Sequence, residues 1–329
     1  MKTFANENAR SPKDASARAA AASKAGKTAI FAGGGSDVLA LVKDRIISPD
    51  VIVNLKTMSG LDKVATSGAG LTIGGQMTLD AVSRHAQIRK DLTVLADAAG
   101  SAATPQIRNV GTLAGNLAQR PWCWYYRNGF NCYKAGGNQC FSFAGENQFH
   151  AIFGGGPSYI VHPSDTAPAL VALGATFVVV GPGGERRVPA SEFFVLPRRD
   201  ATHENVLAAD DVLVSIEVPT PKAGTRSGYH KVLDREAWTH AVVSAAVVLE
   251  MDGEVVRAAR LVLGGVAPVP WRLEAVEQML AGQRLTDDLA ERAGAAAVTG
   301  ARALSKNAYK IPMTRGVVRK ALLETARRA

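Results

Sequence analysis

Residues 31–39 are the first part of this sequence whose residue types could bind an anion. They read Phe-Ala-Gly-Gly-Gly-Ser-Asp-Val-Leu and lead into a helix-like segment at 38–43. Glycines let backbone N–H groups approach oxygen atoms closely, and a helix start adds unpaired N–H groups with a partial positive charge. Because the spacing is neither G-x-G-x-x-G nor a P-loop, the pattern alone predicts either a phosphate-binding loop or a simple tight turn.

A second small-residue loop follows about 80 residues later and reads Gly-Thr-Leu-Ala-Gly-Asn at positions 111–116. It comes after Pro105, which interrupts a helical pattern. Two such loops in one domain can converge on the two phosphates of a dinucleotide. Asn116 adds a side chain that both donates and accepts hydrogen bonds. The pair of loops therefore predicts a dinucleotide site.

All three cysteines of the chain, Cys123, Cys132 and Cys140, lie within 18 residues. An odd number argues against a simple disulfide framework. A local group of thiols instead favours metal or iron–sulfur ligation.

The composition describes a globular protein with a basic C-terminal end. The chain has 329 residues, of which 47% are hydrophobic and 20% charged, enough for two domains or one large domain with an appendage. Residues 301–329 carry eight basic residues against one acidic residue. This end suits a solvated helix face or a contact with an acidic partner subunit better than nucleic acid, because no aromatic residues interleave with the charges. No apolar run is long enough to predict a transmembrane helix.

Local patterns predict alternating strands and helices, with a boundary near residues 221–226. Apolar runs predict strands at 51–55, 71–75, 175–180 and 213–218. Beyond the polar linker at 221–226, we expect strands at 229–233, 241–250 and 255–264, the last two joined by a hairpin at Met-Asp-Gly-Glu, 251–254. Helical patterns cover 14–27, 78–85, 92–103, 271–280, 287–304 and 315–328. The expected class is α+β, and the C-terminal part is expected to contain a three-stranded antiparallel sheet with helices.

Several separated motifs together resemble the FAD-binding subunit of the molybdenum hydroxylases, the xanthine dehydrogenase family. The first three are Ala-Gly-Gly-Gly-Ser-Asp at 32–37, the segment 105–116, and His-Pro-Ser-Asp at 162–165. The match continues through 213–219, 229–231 and 307–310. The resemblance implies an FAD-binding domain over 1–220, made of a small βα subdomain and a larger mixed α/β subdomain. It implies a C-terminal domain of the same family over 227–329.

The resemblance also implies which residues hold FAD. The two loops would bind the pyrophosphate and ribityl chain, with Thr112 as a hydroxyl donor. Asp165 resembles a flavin or ribityl contact, although a plain helix N-cap is the alternative. Lys231 resembles a residue beside the isoalloxazine, although a solvated surface lysine is the alternative. The full set of cofactor-binding candidates is Ala32, Gly33, Gly34, Gly35, Ser36, Asp37, Gly111, Thr112, Ala114, Gly115, Asn116, Asp165, Leu213 and Lys231.

Residues 119–157 resemble the iron–sulfur insertion of the aldehyde oxidoreductase and 4-hydroxybenzoyl-CoA reductase branches of this family. Related insertions carry a [4Fe–4S] cluster, which needs four ligands. This chain has only three cysteines, and Ser158 stands where a fourth is expected. Ser158, a water molecule or His150 would complete the site. The cluster could instead be [3Fe–4S], or the insertion could be a loop with unligated thiols. The aromatic residues beside the first cysteine would shield a cluster or form a subunit interface: Trp122, Trp124, Tyr125 and Tyr126.

The function implied by the resemblance is that of an electron-transfer flavoprotein subunit. Its partners would be a molybdenum-cofactor large subunit and a [2Fe–2S] small subunit, and FAD would pass electrons to an external acceptor, with neither nucleic acid nor membrane as a partner. A self-sufficient FAD-dependent oxidase or dehydrogenase is one alternative, and a non-enzymatic metal-binding assembly module is another. The N-terminus lacks an apolar signal region. We therefore expect a cytoplasmic location, unless a partner with its own signal carries the chain to the periplasm.

Overall fold

Three β-sheets organise the chain. The computed structural model describes residues 2–236 and 239–328. The strands are β1 (Ala5–Asn8), β2 (Ala29–Ala32), β3 (Val51–Asn54), β4 (Val64–Ser67), β5 (Gly70–Gly74), β6 (Thr176–Gly181), β7 (Gly184–Pro189), β8 (Val212–Pro219), β9 (Thr225–Val232), β10 (Val243–Asp252), β11 (Val255–Gly264), β12 (Trp271–Arg272) and β13 (Gln283–Arg284).

Most helices are short and lie between the strands of the first two sheets. They are α1 (Pro12–Lys24), α2 (Val38–Lys43), α3 (Leu79–Arg84), α4 (Ala86–Asp91), α5 (Thr93–Gly100), α6 (Pro105–Arg108), α7 (Leu113–Ala118), α8 (Trp124–Arg127), α9 (Thr166–Ala172), α10 (Ala190–Phe193), α11 (Glu274–Leu280), α12 (Asp287–Ala296) and α13 (Lys310–Ala326). In the described part of the chain, none of them has the length and apolar character needed to cross a bilayer.

The first sheet is parallel, with strand order β1-β3-β2. Helix α1 begins at a Ser11 cap, whose hydroxyl accepts the Asp14 N–H, and Pro12 occupies the first turn, where no N–H is needed. Strand β2 ends at Ala32, and the chain turns through residues 33–37 into α2. The glycines therefore lie where a parallel strand meets a helix, as the sequence pattern predicts.

The second sheet is antiparallel, with strand order β4-β5-β8-β6-β7, and it carries the main core of the first domain. Fully buried side chains such as Ile73, Phe177 and Ile216 pack from its strands. Between β5 and β6 the chain makes a long excursion of helices and loops that contains both the second loop and the cysteines. An isolated bridge between Thr78 and Thr112 joins that excursion to the end of β5.

The C-terminal sheet has five strands rather than the three that the sequence predicts. Strands β9, β10 and β11 form the expected antiparallel core with the predicted hairpin, and the short strands β12 and β13 both pair with β11. Two-residue strands are too short to show a period in the sequence. Helix α13 and α11 cover this sheet and share its apolar core.

Several predicted helix bounds shift for local reasons. The predicted helix at 271–280 starts instead with β12, and α11 begins only at Glu274. Helix α13 begins at Lys310, five residues earlier than predicted, because Pro312 lies in the first turn, where its missing N–H is tolerated. Helices α1, α5 and α12 end earlier than predicted, at Lys24, Gly100 and Ala296. The predicted α+β class is confirmed.

Candidate functional site

The glycine loop (residues 32–37) and the second loop (residues 111–116) lie in direct contact. A Cβ atom added to Gly34 would stand 1.8 Å from the carbonyl oxygen of Val110. A Cβ atom added to Gly33 would stand 2.8 Å from both Thr112 Oγ1 and Gln76 Oε1. No side chain fits at either position, so the two backbones approach as closely as the sequence allows. The convergence expected of the two loops is present.

Backbone donors in the glycine loop are left open. In the described part of the chain, the N–H groups of Gly34, Gly35 and Ser36 form no backbone hydrogen bond. Gly35 has a φ of +76°, which the turn into α2 requires. Beside them, Gln76 Oε1 is buried and has no partner among the described residues. Unpaired donors in a loop without side chains suit phosphate oxygens, so these residues fit a dinucleotide.

The hydroxyl of Thr112 caps helix α7 at the end of the second loop. Its Oγ1 accepts the Gly115 N–H at 3.1 Å, and the residue is buried. Since the oxygen acts as an acceptor in this contact, its own proton remains available for a ligand. Asn116, the last residue of the loop, accepts two short bonds at Oδ1, from Ser164 Oγ and Thr166 Oγ1, both at 2.6 Å. Asn116 thus ties the second loop to the start of α9.

Three cavities run from the glycine loop toward the cysteines. The glycine-loop cavity has a volume of about 390 Å³, the central cavity about 180 Å³, and the cysteine-side cavity about 240 Å³. The first two share the lining residues Ser36, Asp37, Thr112, Gly115 and Gln119. The last two share Trp122, Pro163, Asp165, Thr239 and His240. The three cavities therefore adjoin in a row, called the groove below, and a row of this kind suits an extended ligand.

Asp37 binds the cysteine insertion (residues 119–157). Its Oδ1 accepts from Arg127 Nη2 at 2.7 Å, and its Oδ2 accepts from the Arg120 backbone N–H at 3.0 Å. The Arg127 side chain is only 8% exposed, and its guanidinium carbon lies 4.2 Å from the centre of the Trp122 ring. The carboxylate predicted to contact FAD therefore also holds the insertion against the glycine loop.

A second buried contact fixes the insertion from its other side. Lys134 Nζ lies 2.9 Å from Glu204 Oε1, and both side chains are almost completely buried. Burial lowers the pKa of the Lys134 ammonium, although the nearby Glu204 carboxylate acts in the opposite direction. Arg120 reaches the same carboxylate, at 3.0 Å from Glu204 Oε2.

Asp165 is the centre of a buried polar network at the wall shared by the central and cysteine-side cavities. Its Oδ1 accepts from Tyr229 Oη at 2.8 Å, and its Oδ2 accepts from Lys231 Nζ at 2.7 Å. Burial raises the pKa of the Tyr229 hydroxyl, so this group stays protonated as a donor. Asp165 is the N-cap residue of α9, but its side chain makes no capping hydrogen bond, and the hydroxyl of Ser164 accepts the Ala167 N–H instead.

The alternative of a solvated Lys231 is wrong, since only 3% of its side chain is exposed. Its ammonium also donates to the carbonyl oxygen of Ser101 at 3.0 Å. Two other candidates, Leu213 and Ala114, are buried in the core and line none of the three cavities described above. Their contact with FAD, like that of Ala32, stays a prediction.

The three cysteines are free thiols within one segment. Cys132 is buried and packs with Leu41 and Tyr126, while Cys123 and Cys140 are half-buried. Burial raises the pKa of the Cys123 thiol to about 11, and the other two cysteines add smaller contributions in the same direction. Cys123 and Cys132 belong to the same small apolar cluster.

Polar partners surround two of the sulfurs. His150 Nε2 lies 3.3 Å from the Cys123 sulfur. The Cys140 sulfur lies 3.1 Å from Ser142 Oγ. Among the residues at 2–236 and 239–328, no three His, Cys, Asp or Glu side chains are grouped as a single metal ion requires. Cysteine thiolates are the ligands that an iron–sulfur group takes, and such a group on these three cysteines stays a prediction.

Local sequence does not predict three residues in or beside this groove. Gln76 is an isolated polar residue in the sequence, and its position beside Gly33 depends on the turn after β5. His240 packs its ring against Trp122 with centroids 5.3 Å apart, and burial lowers its pKa. Arg120 reaches the groove only because the insertion folds back on the glycine loop.

Comparisons with known proteins agree along the whole chain. Residues 7–221 match the model for the FAD binding domain in molybdopterin dehydrogenase, and residues 228–325 match that for the CO dehydrogenase flavoprotein C-terminal domain. The chain is 31% identical over 336 residues to the aldehyde oxidoreductase FAD-binding subunit of Escherichia coli (strain K12), with 100% of each chain covered. It is 28% identical over 316 residues to the carbon monoxide dehydrogenase medium chain of Hydrogenophaga pseudoflava, with 94% of each covered. A solved structure of carbon monoxide dehydrogenase from Hydrogenophaga pseudoflava superposes with a TM-score of 0.78 at 26% identity, covering 99% of this chain and 98% of that chain.

Proposed function

Because this chain belongs to the family of FAD-binding medium subunits of molybdopterin dehydrogenases, we propose that it passes electrons from iron–sulfur centres through FAD to an external acceptor. It is an oxidoreductase subunit, and the substrate chemistry takes place on another subunit. The observation that carries this proposal is the row of adjoining cavities from the two small-residue loops to the cysteine insertion. A groove with these two ends would hold the flavin within reach of a second redox group.

Both backbone and side-chain groups of the groove would contact FAD. The open N–H groups of Gly34, Gly35 and Ser36 would hold the pyrophosphate oxygens without any side chain between them. Thr112 would donate its hydroxyl proton, and Asp165 would accept from the ligand or orient Tyr229 toward it. FAD supplies the acceptance and release of electrons, and the protein supplies position and electrostatics. Neither loop contains a His or Cys that could attach the flavin covalently.

An iron–sulfur centre on Cys123, Cys132 and Cys140 is the second part of the proposal. The contact of His150 Nε2 with the Cys123 sulfur supports a metal-bound thiolate there, because a desolvated thiolate needs hydrogen bonds or a metal to stabilise its charge. The three thiolates would hold either a [4Fe–4S] cluster with a fourth ligand that is not cysteine, or a [3Fe–4S] cluster. Aromatic rings around the insertion, among them Tyr125, Phe130 and Phe141, would limit access of water.

The partners proposed are a molybdenum-cofactor large subunit and a [2Fe–2S] small subunit. Support comes from a relative named as a medium chain, and from exposed aromatic side chains on the insertion, Trp122 and Trp124. Exposed aromatic residues are typical of surfaces that another protein covers. The cytoplasm, or the periplasm by export with a partner, stays a prediction.

A comparison of the chain alone with its native complex tests the proposal. We expect the isolated chain to show flavin absorption bands and no substrate turnover. In the complex, addition of substrate should bleach those bands anaerobically. Turnover by the isolated chain would favour a self-sufficient oxidase instead, and purification without flavin would favour a metal-binding module.

A further inference from the structure

We propose that His150 donates a hydrogen bond from Nε2 to the Cys123 sulfur and thereby raises the reduction potential of the iron–sulfur centre. This inference rests on the centre proposed above. It assigns His150 as a positioning residue that acts through a ligand, and it removes His150 from the candidates for the missing fourth ligand.

The contact between the two side chains is specific. Nε2 of His150 lies 3.3 Å from Cys123 Sγ, a normal distance for a hydrogen bond to sulfur. The other ring nitrogen, Nδ1, is buried and has no partner in the part of the chain that the structure describes. The contact to sulfur is therefore the one hydrogen bond of this imidazole within those residues. A sulfur bound to metal carries no proton, so the proton in this contact belongs to Nε2.

The backbone around His150 fixes the ring in this position. The His150 N–H donates to the Asn147 carbonyl at 3.0 Å, and the His150 carbonyl accepts from Asn307 Nδ2 at 3.1 Å. The preceding carbonyl, of Phe149, accepts from the buried ammonium of Lys310 at 2.8 Å. Because Asn307 and Lys310 both belong to the C-terminal domain, that domain holds the imidazole against the cysteine insertion.

The same distance favours His150 as a donor over His150 as a ligand. Each protein ligand of a cubane would bind a different iron. With Nε2 at hydrogen-bond distance from the Cys123 sulfur, His150 would act through that thiolate. Of the three fourth donors left open by the sequence, Ser158 or a water molecule would then complete the site.

A hydrogen bond from His150 would act on the potential through the Cys123 sulfur. Hydrogen bonds to cluster sulfurs stabilise the electron-rich reduced state more than the oxidised state, and they are one of the ways in which a protein sets the reduction potential. Because the donor is a side chain, a substitution at His150 can remove it.

The test is an EPR-monitored redox titration of the native complex, purified anaerobically, with iron, acid-labile sulfide and FAD measured on the same samples. Three variants are compared with the wild type. His150→Leu removes the donor, His150→Gln keeps an amide N–H at a similar reach, and His85→Leu removes a half-exposed histidine that lines none of the three cavities.

We expect unchanged iron, sulfide and FAD in all three variants. The midpoint potential should shift to a more negative value in His150→Leu and return toward the wild-type value in His150→Gln, while His85→Leu leaves it unchanged. If His150→Leu loses the cluster but His150→Gln keeps it at the wild-type potential, the donor role is also supported.

Two results would overturn the role of His150 while leaving the cluster in place in the wild type. One is an unchanged potential in His150→Leu with full iron content. The other is loss of iron in both His150 variants, as expected if the imidazole were a ligand. Wild-type protein without iron or sulfide would overturn the cluster itself, and the role of His150 with it.

Discussion

At the scale of single residues, the glycine loop depends on two positions that have no side chain, Gly33 and Gly34. Gly34 has no Cβ, and this absence allows the glycine loop to touch the carbonyl of Val110. Gly33 leaves room for Thr112 and Gln76 in the same way. Asp165, by contrast, is held by side-chain contacts with Tyr229 and Lys231. The glycine loop is therefore the part of the groove that offers backbone donors rather than side chains.

Substitution of Gly34 by alanine should abolish FAD retention. Its Cβ would stand 1.8 Å from the Val110 oxygen, so the two loops must move apart. We expect FAD content below one tenth of the wild-type value, measured from the absorption spectrum of the purified protein. The larger Gly34→Val should behave in the same way.

The matched control is Gly183→Ala, because a Cβ atom at Gly183 meets nothing within 4 Å and its φ is not positive. This variant should keep its flavin. Normal FAD content in Gly34→Ala would show that the glycine loop does not hold the cofactor.

The buried Lys310 should make the free energy of unfolding depend on pH. Burial lowers the pKa of its ammonium to about 7 in the folded protein, against an ordinary value of 10.5. Between these two pH values the unfolded chain binds the proton and the folded chain does not, so the free energy of unfolding rises with pH. Over this window the contribution is on the order of a few kcal/mol. Lys310→Met should remove that rise, measured by urea unfolding at pH 7 and pH 10.

Lys320→Met is the control, since this lysine is 58% exposed. Its variant should keep the wild-type difference between the two pH values. An undiminished rise in Lys310→Met would mean that the buried ammonium keeps its ordinary pKa.

At the scale of elements, the cysteine insertion is attached to the glycine loop by the start of α2. Asp37 directly precedes α2 and holds both Arg120 and Arg127. Lys134 anchors the other side of the insertion to Glu204. The segment that carries the cysteines is therefore built against the segment proposed to hold the pyrophosphate.

The ion pair between Asp37 and Arg127 should couple the stability of these two segments. Asp37→Asn leaves the buried Arg127 guanidinium without its charged partner, and Arg127→Met does the same to the half-buried Asp37 carboxylate. We expect each to cost about 2–3 kcal/mol in unfolding free energy. In the double variant the losses should not add, and a double-mutant cycle measures the difference. Each single variant should also weaken FAD binding, because both loosen the glycine loop.

An exposed pair provides the comparison for this cycle. Arg187 and Glu217 lie 3.0 Å apart, with side chains 58% and 36% exposed. Exposed pairs contribute about 1 kcal/mol or less. A coupling energy for Asp37 and Arg127 no larger than that of the exposed pair would contradict the structural role assigned to them.

Strands and turns that depend on neighbouring residues could be predicted from the sequence. Contacts between residues far apart in the chain could not. The strand at 51–55 and the hairpin at 251–254 follow from apolar runs and turn residues, and both are present. The partners of Asp37 lie 83 and 90 residues away along the chain. Nothing in the local sequence specifies an ion pair that forms only after the insertion folds back. Lys231 shows the same limit, because its burial depends on Asp165, 66 residues earlier.

At the scale of the whole molecule, a further large cavity lies on the surface beside the cysteine insertion. A cavity of about 870 Å³ is lined by Trp122, Trp124 and Phe149 together with Arg45. It shares Trp122 and His150 with the cysteine-side cavity. This surface cavity therefore adjoins the region that would hold the second redox group.

Trp124 should mark the surface that a partner subunit covers. Its side chain is 66% exposed, which is unusual for tryptophan, and buried aromatic residues dominate the energy of protein interfaces. We expect Trp124→Glu to weaken assembly with the co-expressed partner subunits by roughly tenfold or more, since an interface residue of this kind contributes about 2 kcal/mol or more. Binding is measured by biolayer interferometry and the mass of the complex by light scattering. FAD content of the variant should equal that of the wild type, because Trp124 lines none of the three cavities of the groove.

Val255→Glu is the matched control on the C-terminal hairpin, where an apolar side chain is 38% exposed. Equal affinity of the wild type and Trp124→Glu for the partners would place their interface elsewhere and leave the exposed tryptophan without a role in assembly.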